Sequence, residues 1–235
     1  DSRDGFPIFV AAVERVKPAA FMFENVRGLL YRNRWYLDEI TDRLGGLGYQ
    51  IEVALLNAKN YGVPQNRERV IVVGHRTEYR FPAPMETVVT AGEALGELAL
   101  EAPSDSKFLT SGMDRYIAKY ERASKCVTPR DLHLDRPART LTCRNLAGAT
   151  GDMQRIRLPD VSRRRLTHRE AARLQSFPDS FEFVGNETSR FNQIGNAVAP
   201  LFALQLAVSL LDSLGVQLPP IVSEGLSGER RLSLF

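Results

Sequence analysis

Cysteine is nearly missing from this chain of 235 residues, with Cys126 and Cys143 the only two. So few, so far apart, exclude a disulfide scaffold and a thiolate zinc site, and they fit a reducing, cytoplasmic compartment. His75, His133 and His168 are scattered without ligand spacing, so no metal site is expected. No apolar run approaches the roughly 20 residues that span a bilayer. No basic-then-apolar secretory leader opens the chain either, and no membrane partner is expected. Internal repeats and low-complexity tracts are also lacking. Lysine is rare, five residues against 26 arginines, so the basic character rests almost wholly on guanidinium groups.

What is present is the composition of a globular protein, 43% apolar and 25% charged. The length allows one domain with a full core, or one large and one small domain. Net charge is +3 and the isoelectric point about 9.0. Arginine suits bidentate contact with phosphate and guanine. A GC-rich coding sequence would enrich arginine equally, so composition leaves nucleic-acid binding open.

Along the chain, residues 7–17 place Phe9, Val13 and Val16 at helical spacing, with Pro7 suited to the first turn. Residues 19–23, AAFMF, read as a short buried strand stopping at Glu24. Asn33 is positioned to cap a helix through Trp35, Leu37, Ile40 and Leu44 that ends at Gly45 and Gly46. YQIEVALLN (49–57) alternates as a strand, NAKNYGVPQN reads as a loop, and RVIVVGHR (69–76) reads as a second apolar strand. These elements make the second half of an α/β sheet. From about Phe81 to Arg165, short elements, prolines and clustered arginines predict a small, irregular, strand-rich second domain. Thr167 and Glu170 form a capping box in THREAARLQSF. NQIGNAVAP reads as a loop feeding a helix, PLFALQLAVSLLDSLG, capped by Gly215, and the last 20 residues read as loose. The expected division is 1–80 and 186–215 for the main domain, 81–185 for the second domain and hinge, and 216–235 for a tail.

Glu24 falls at the carboxyl end of a strand, the edge where open α/β sheets bind ligands. Gln65, Arg67 and Arg69 open the last strand, where alternate residues point the same way, so both guanidiniums are expected at that edge. An acid and two arginines followed by an arginine-rich module fit an anionic, planar substrate. A nucleic-acid base with its phosphate is one candidate; a metabolite or nucleotide is another.

Four stretches, in order, then carry a resemblance: ENV (Glu24–Val26), QNRER (Gln65–Arg69), LTHREAARLQSFPDSF (Leu166–Phe181) and QIGNAV (Gln193–Val198). Together they resemble the later motifs of DNA cytosine-5 methyltransferases, and DSRDGFP at residues 1–7 resembles that family's Asp-x-Arg segment. The resemblance implies an α/β fold: a partial Rossmann-like sheet of an S-adenosylmethionine-dependent methyltransferase with a small, strand-rich target-recognition domain. It implies double-stranded DNA as partner and S-adenosylmethionine as cofactor. In such enzymes a flipped cytosine is attacked at carbon 6 by a cysteine thiolate, which makes carbon 5 nucleophilic towards the methyl donor. Glu24 then matches the acid that meets ring nitrogen 3, a task that calls for a raised pKa. Arg69 and Arg67 match the two arginines of Gln-x-Arg-x-Arg, Arg69 for the base pocket and Arg67 for phosphate, with Asn25 and Gln65 lining the pocket. Asn196 and Val198 match residues near the cofactor, the Asn196 amide facing the methionine carboxylate. Arg165, Arg169 and Arg173 are taken as organising the recognition domain. Arg130, Arg136, Arg139, Arg144 and Arg155 are the candidates for DNA contact, mostly with phosphates.

The family's Pro-Cys-Gln nucleophile loop has no counterpart in the 235 residues, nor does its glycine-rich cofactor loop; GGLG at 45–48 follows a helix instead of opening one. Cys143, with basic neighbours, is a poor substitute nucleophile because it lies in the recognition module. The chain is therefore expected to be the C-terminal part of a methyltransferase serving restriction–modification and inactive alone. An N-terminal segment or a separate subunit would supply the rest. The alternative is a non-catalytic target-recognition subunit of a two-chain enzyme.

Overall fold

A computed structural model describes residues 4–104, 106–125, 130–148 and 152–217. Asp1 and Arg3 of the Asp-x-Arg segment, Cys126, and all of the expected tail beyond residue 217 lie outside them. The chain forms two compact units. The first takes in residues up to 57, then 68–83 and the segment from 204; the second takes in 58–67 and 84–203.

The first unit begins with α1 (Phe6–Val16), β1 (Ala20–Val26), α2 (Arg34–Gly46) and β2 (Gln50–Asn57). A two-residue β3 (Gln65–Asn66) in the second unit precedes β4 (Glu68–His75), which returns to the first. The sheet order is β1-β4-β2, with β4 antiparallel to both neighbours. Val70, Ile71, Val72 and Val73 are all fully buried, which is why the central strand reads as an unbroken apolar run. Phe21 pairs across the sheet with Gly74 and its ring covers it; a Cβ on Gly74 would stand 2.0 Å from that ring. Any side chain there would displace Phe21.

One face of this sheet is closed by α1 and α2. Val10, Val13, Ile40 and Leu44 pack with Phe21, and Leu37 packs with Val70 and Val72. Phe6 meets Phe23, and Phe9 meets Phe21, edge to face, a geometry favoured by the ring quadrupoles. Asn33 occupies the expected N-cap of α2, but its side chain makes no capping bond. β1 runs three residues beyond its apolar stretch, so Glu24 and Asn25 lie inside the strand instead of after it. Cross-strand pairing with Ile71 and Val70 extends the ladder across these polar residues.

The second unit contains α3 (Ala91–Leu95), α4 (Ser111–Ala123), β5 (Ala138–Arg139), α5 (Cys143–Ala147), β6 (Arg155–Arg157), β7 (Arg163–Arg165), α6 (His168–Leu174) and α7 (Glu187–Asn196). The strands expected here are present but short, two or three residues each, with helices among them. The core joins Leu95, Leu141, Ile156, Leu166, Leu174 and Ile194. α6 opens on the expected capping box: Thr167 accepts from the Glu170 amide, and Glu170 accepts from the Thr167 amide.

Residues 193–196, read from sequence as loop, are the last turn of α7. Asn186 caps that helix by accepting from the Ser189 amide, and Phe191 and Ile194 bury one face at helical spacing. α8 (Pro200–Ser213) follows. The stretch Glu187–Ser213 through α7 and α8 is, among the described residues, the one segment long and apolar enough by length and composition to cross a membrane. That corrects the expectation that no such run exists. Its most apolar window is 33% buried in the protein, and the helix is broken between Asn196 and Pro200.

Candidate active site

In the first unit, Glu24 stands opposite Ile71 and Arg69 opposite Val26, so the acid and the arginine are diagonal neighbours on one face of the sheet. Their side chains meet: Nε of Arg69 lies 2.7 Å from Oε1 of Glu24, with only 11% of the arginine and 24% of the glutamate side chain exposed. Nη1 of Arg69 also donates to the Glu68 carbonyl at 2.8 Å. Glu24 Oε2 and Arg69 Nη2 have no partner among the described residues. Mostly buried, with the guanidinium also tied to the Glu68 carbonyl, this pair is a carboxylate–guanidinium unit that leaves Oε2 and Nη2 to meet a further group.

Asn25 points elsewhere. Strand alternation sends it to the α1/α2 face, where it lines a cavity of about 410 Å³ with Asp4, Phe6, Phe9, Phe23 and Tyr36. Its Oδ1 accepts from the Val26 amide at 2.8 Å. The expectation that Asn25 shares a pocket wall with Glu24 is therefore corrected. At the rim of the cavity Tyr36 donates to Asp4. Desolvation, helped by that carboxylate, pushes the Tyr36 phenol up to about 12, while its hydroxyl holds Asp4 below the usual carboxylate range.

Arg67 departs furthest from expectation. It sits in the break between β3 and β4, so the alternation that would have aimed it with Arg69 does not run through it. Only 3% exposed, it donates through Nη1 to the Leu141 carbonyl at 2.8 Å. Nη2 donates to the carbonyls of Gly195 at 3.2 Å and Ala197 at 3.1 Å. A guanidinium so committed clamps backbone, and the expected phosphate contact is corrected to that role. Gln65, fully buried, is likewise no pocket wall. Its Nε2 donates to the Leu174 carbonyl and to Gln175 Oε1, and its Oε1 accepts from the Leu141 amide. Gln175 completes the network by donating to the carbonyls of Ile194 and Ala197. Sequence reasoning gave Gln175 no role; its one signal was its place in the LTHREAARLQSFPDSF stretch, directly after a capped helix.

Asn196 and Val198 are both exposed. Asn196 Oδ1 accepts from the Cys143 thiol, 3.0 Å from Sγ. Of the arginines expected at DNA, Arg155 is fully buried and corrected to an architectural role: Nε donates to Asp131 Oδ1 and Nη2 to Glu121 Oε1. Arg163, not among those candidates, brings the other oxygen of Asp131 and Asp114 into the same network. Arg130 and Arg139 converge on Asp152 and are partly exposed. Arg136 is exposed beside Asp135, and Arg144 is exposed with no ion pair among the described residues. Arg165, Arg169 and Arg173 hold backbone carbonyls around α6, in keeping with an organising role.

The α/β architecture that carries this pair is shared with solved structures. The chain superposes on the Entamoeba histolytica methyltransferase EhMeth with a TM-score of 0.65 at 18% identity, covering 87% of this chain and 68% of that one. The S. pombe Dnmt2 methyltransferase gives 0.62 at 17% identity, over 84% and 68%. These likenesses establish that the chain shares the fold of these solved methyltransferase structures. The family model of C-5 cytosine-specific DNA methylases matches residues 2–212, and the chain belongs to that family. Among curated relatives, the type II methyltransferase M.AplI of Arthrospira platensis is 57% identical over 212 residues, covering 89% of this chain and 61% of its own length. M.NgoFVII of Neisseria gonorrhoeae is 32% identical, covering 86% and 61%. The chain thus spans about three fifths of the length of these relatives.

Proposed function

We propose that this chain carries the base-binding acid and the target-recognition part of a DNA cytosine-5 methyltransferase of the type II, restriction–modification kind. The carrying observation is the Glu24–Arg69 pair. Attack on carbon 6 of an extruded cytosine drives negative charge onto ring nitrogen 3 and the carbonyl oxygen. Glu24, once protonated on Oε2, is the donor for nitrogen 3, and Arg69 Nη2 is the donor for the carbonyl oxygen. Donors preorganised where charge develops lower a barrier more than they would in water. Arg69 also fixes the carboxylate so that it does not have to be ordered when the base arrives.

S-adenosylmethionine, when bound, supplies the methyl group. The chain's fit to it rests on Asn196, whose exposed amide offers N–H donors of the kind a carboxylate accepts, with Val198 exposed nearby in sequence. The nucleophile and the glycine-rich cofactor loop are, in this reading, contributed by polypeptide outside the 235 residues, as an N-terminal segment or a separate subunit. A recognition subunit without chemistry would have no use for a fixed acid–arginine pair on the sheet, which favours the enzymatic reading over a purely DNA-binding one.

Incubating the purified chain with duplex DNA and methyl-labelled S-adenosylmethionine tests this. No label is expected on DNA from the chain alone. Transfer is expected once the nucleophile-bearing part is supplied, and it should be lost in Glu24→Gln. Transfer by the unaccompanied chain, or full activity of the variant, would refute the proposal.

A further inference from the structure

Cys143 opens α5, directly after its capping residue Thr142. Its thiol lies 3.0 Å from Oδ1 of Asn196, a residue 53 positions later. An amide oxygen can only accept, so the S–H donates to it. The approach of the two segments is forced by the backbone. A Cβ on Gly195 would stand 2.4 Å from the Cys143 amide nitrogen and 2.7 Å from the Thr142 carbonyl carbon, so only glycine fits there. Arg67 then bonds both segments at once, through Leu141 on one and Gly195 and Ala197 on the other. Cys143 and Asn196 therefore meet across a seam held by a buried guanidinium and two backbones in contact.

This contact decides which end of the Asn196 amide is available. With Oδ1 engaged by the thiol, the NH2 group is left to meet an incoming acceptor. Rotated by half a turn, the amide would present oxygen, which repels a carboxylate. We propose that Cys143 is a positioning residue that locks the Asn196 amide with its N–H donors outward for the carboxylate of S-adenosylmethionine. The inference rests on the reading of Asn196 as a cofactor residue and adds the residue that orients it. It gives the lone described thiol a task that is neither nucleophilic nor incidental.

The test has a spectroscopic arm and a kinetic arm. In the isolated chain, the Asn196 side-chain 13Cγ resonance should move in Cys143→Ala and return towards the wild-type position in Cys143→Ser, which keeps a donor. In the methylating assembly that contains this chain, Cys143→Ala should raise KM for S-adenosylmethionine roughly two- to threefold, the low end for a neutral hydrogen bond because a thiol is a weak donor. kcat should be nearly unchanged and Cys143→Ser should restore KM. An unmoved resonance overturns the inference, as does a fall in kcat without a KM effect. If Asn196→Ala raises KM while Cys143→Ala does not, the positioning role fails and the cofactor reading of Asn196 survives. If Asn196→Ala leaves KM alone, both fail.

Discussion

At the scale of single residues, two arginines two positions apart do different work. Arg69 faces a carboxylate, whereas Arg67 faces carbonyls. Replacing Arg67 by lysine keeps the charge but loses the fork that reaches two oxygens from one nitrogen and a third from the other. We expect Arg67→Lys to cost about 2–4 kcal/mol of unfolding free energy, as for a buried charge stripped of partners, measured by urea denaturation of the isolated chain. Arg69→Lys should change stability much less and, if the proposed function holds, reduce methyl transfer by the complemented enzyme by at least about 10²-fold, the scale of one lost transition-state donor. Equal stability losses in the two variants would contradict the division of labour. The sequence made the motif visible but could not rank its arginines. Alternation assumes an unbroken strand, and the break falls on residue 67.

Among the elements, α6 is the best secured. Glu170 closes its capping box and, fully buried, also pairs with the fully buried Arg164 through Nη1 at 2.9 Å and Nη2 at 2.7 Å. Glu170→Gln leaves that guanidinium without its countercharge, so a loss of about 3–5 kcal/mol is expected. Thr167→Ala, which removes only a cap, should cost about 1 kcal/mol; similar losses from both would mean that the ion pair adds nothing. Past the end of the helix, Arg173 holds Asp179 through two bonds, and that hydrogen bonding keeps the carboxyl below its usual range. A depressed carboxyl pKa adds stability above the unfolded value, near 3.8 for aspartate, that is lost as pH falls through the lower folded value. Asp179→Asn should therefore lower stability at neutral pH and flatten its decline below about pH 4. A decline as steep as wild type would show that the pair is not linked to folding. The capping box was legible because all its parts lie within four residues. The Arg164 pairing with Glu170 was not, since burial of an arginine has no local signature.

For the whole molecule, the expected basic recognition surface is smaller than the arginine content implies. Arg155, Arg163 and Arg164 are spent inside the second unit on Asp131, Glu121, Asp114 and Glu170, leaving Arg136 and Arg144 as the exposed candidates, with Arg130 and Arg139 partly so. Few phosphate contacts give a shallow salt dependence, because each neutralised phosphate contributes about 0.9 to the logarithmic slope. DNA affinity of the chain should therefore fall with salt at a slope of about −2 to −4, and Arg144→Ala should reduce it by nearly one while Arg155→Met should not. A slope near zero would count against DNA as the partner of the second unit. Steepness matching all five candidates would count against the buried role of Arg155.

The elements of the first unit, the capping box of α6 and the family's motifs were written in local patterns. Periodicity, caps and short motifs act over a few residues, and those forces are readable along a line. Which guanidiniums face water, which clamp carbonyls, and how a thiol comes to meet an amide 53 positions away were settled by packing. A side chain's partners are chosen by which segments the core brings within 3 Å, and distance in the chain carries almost no record of that.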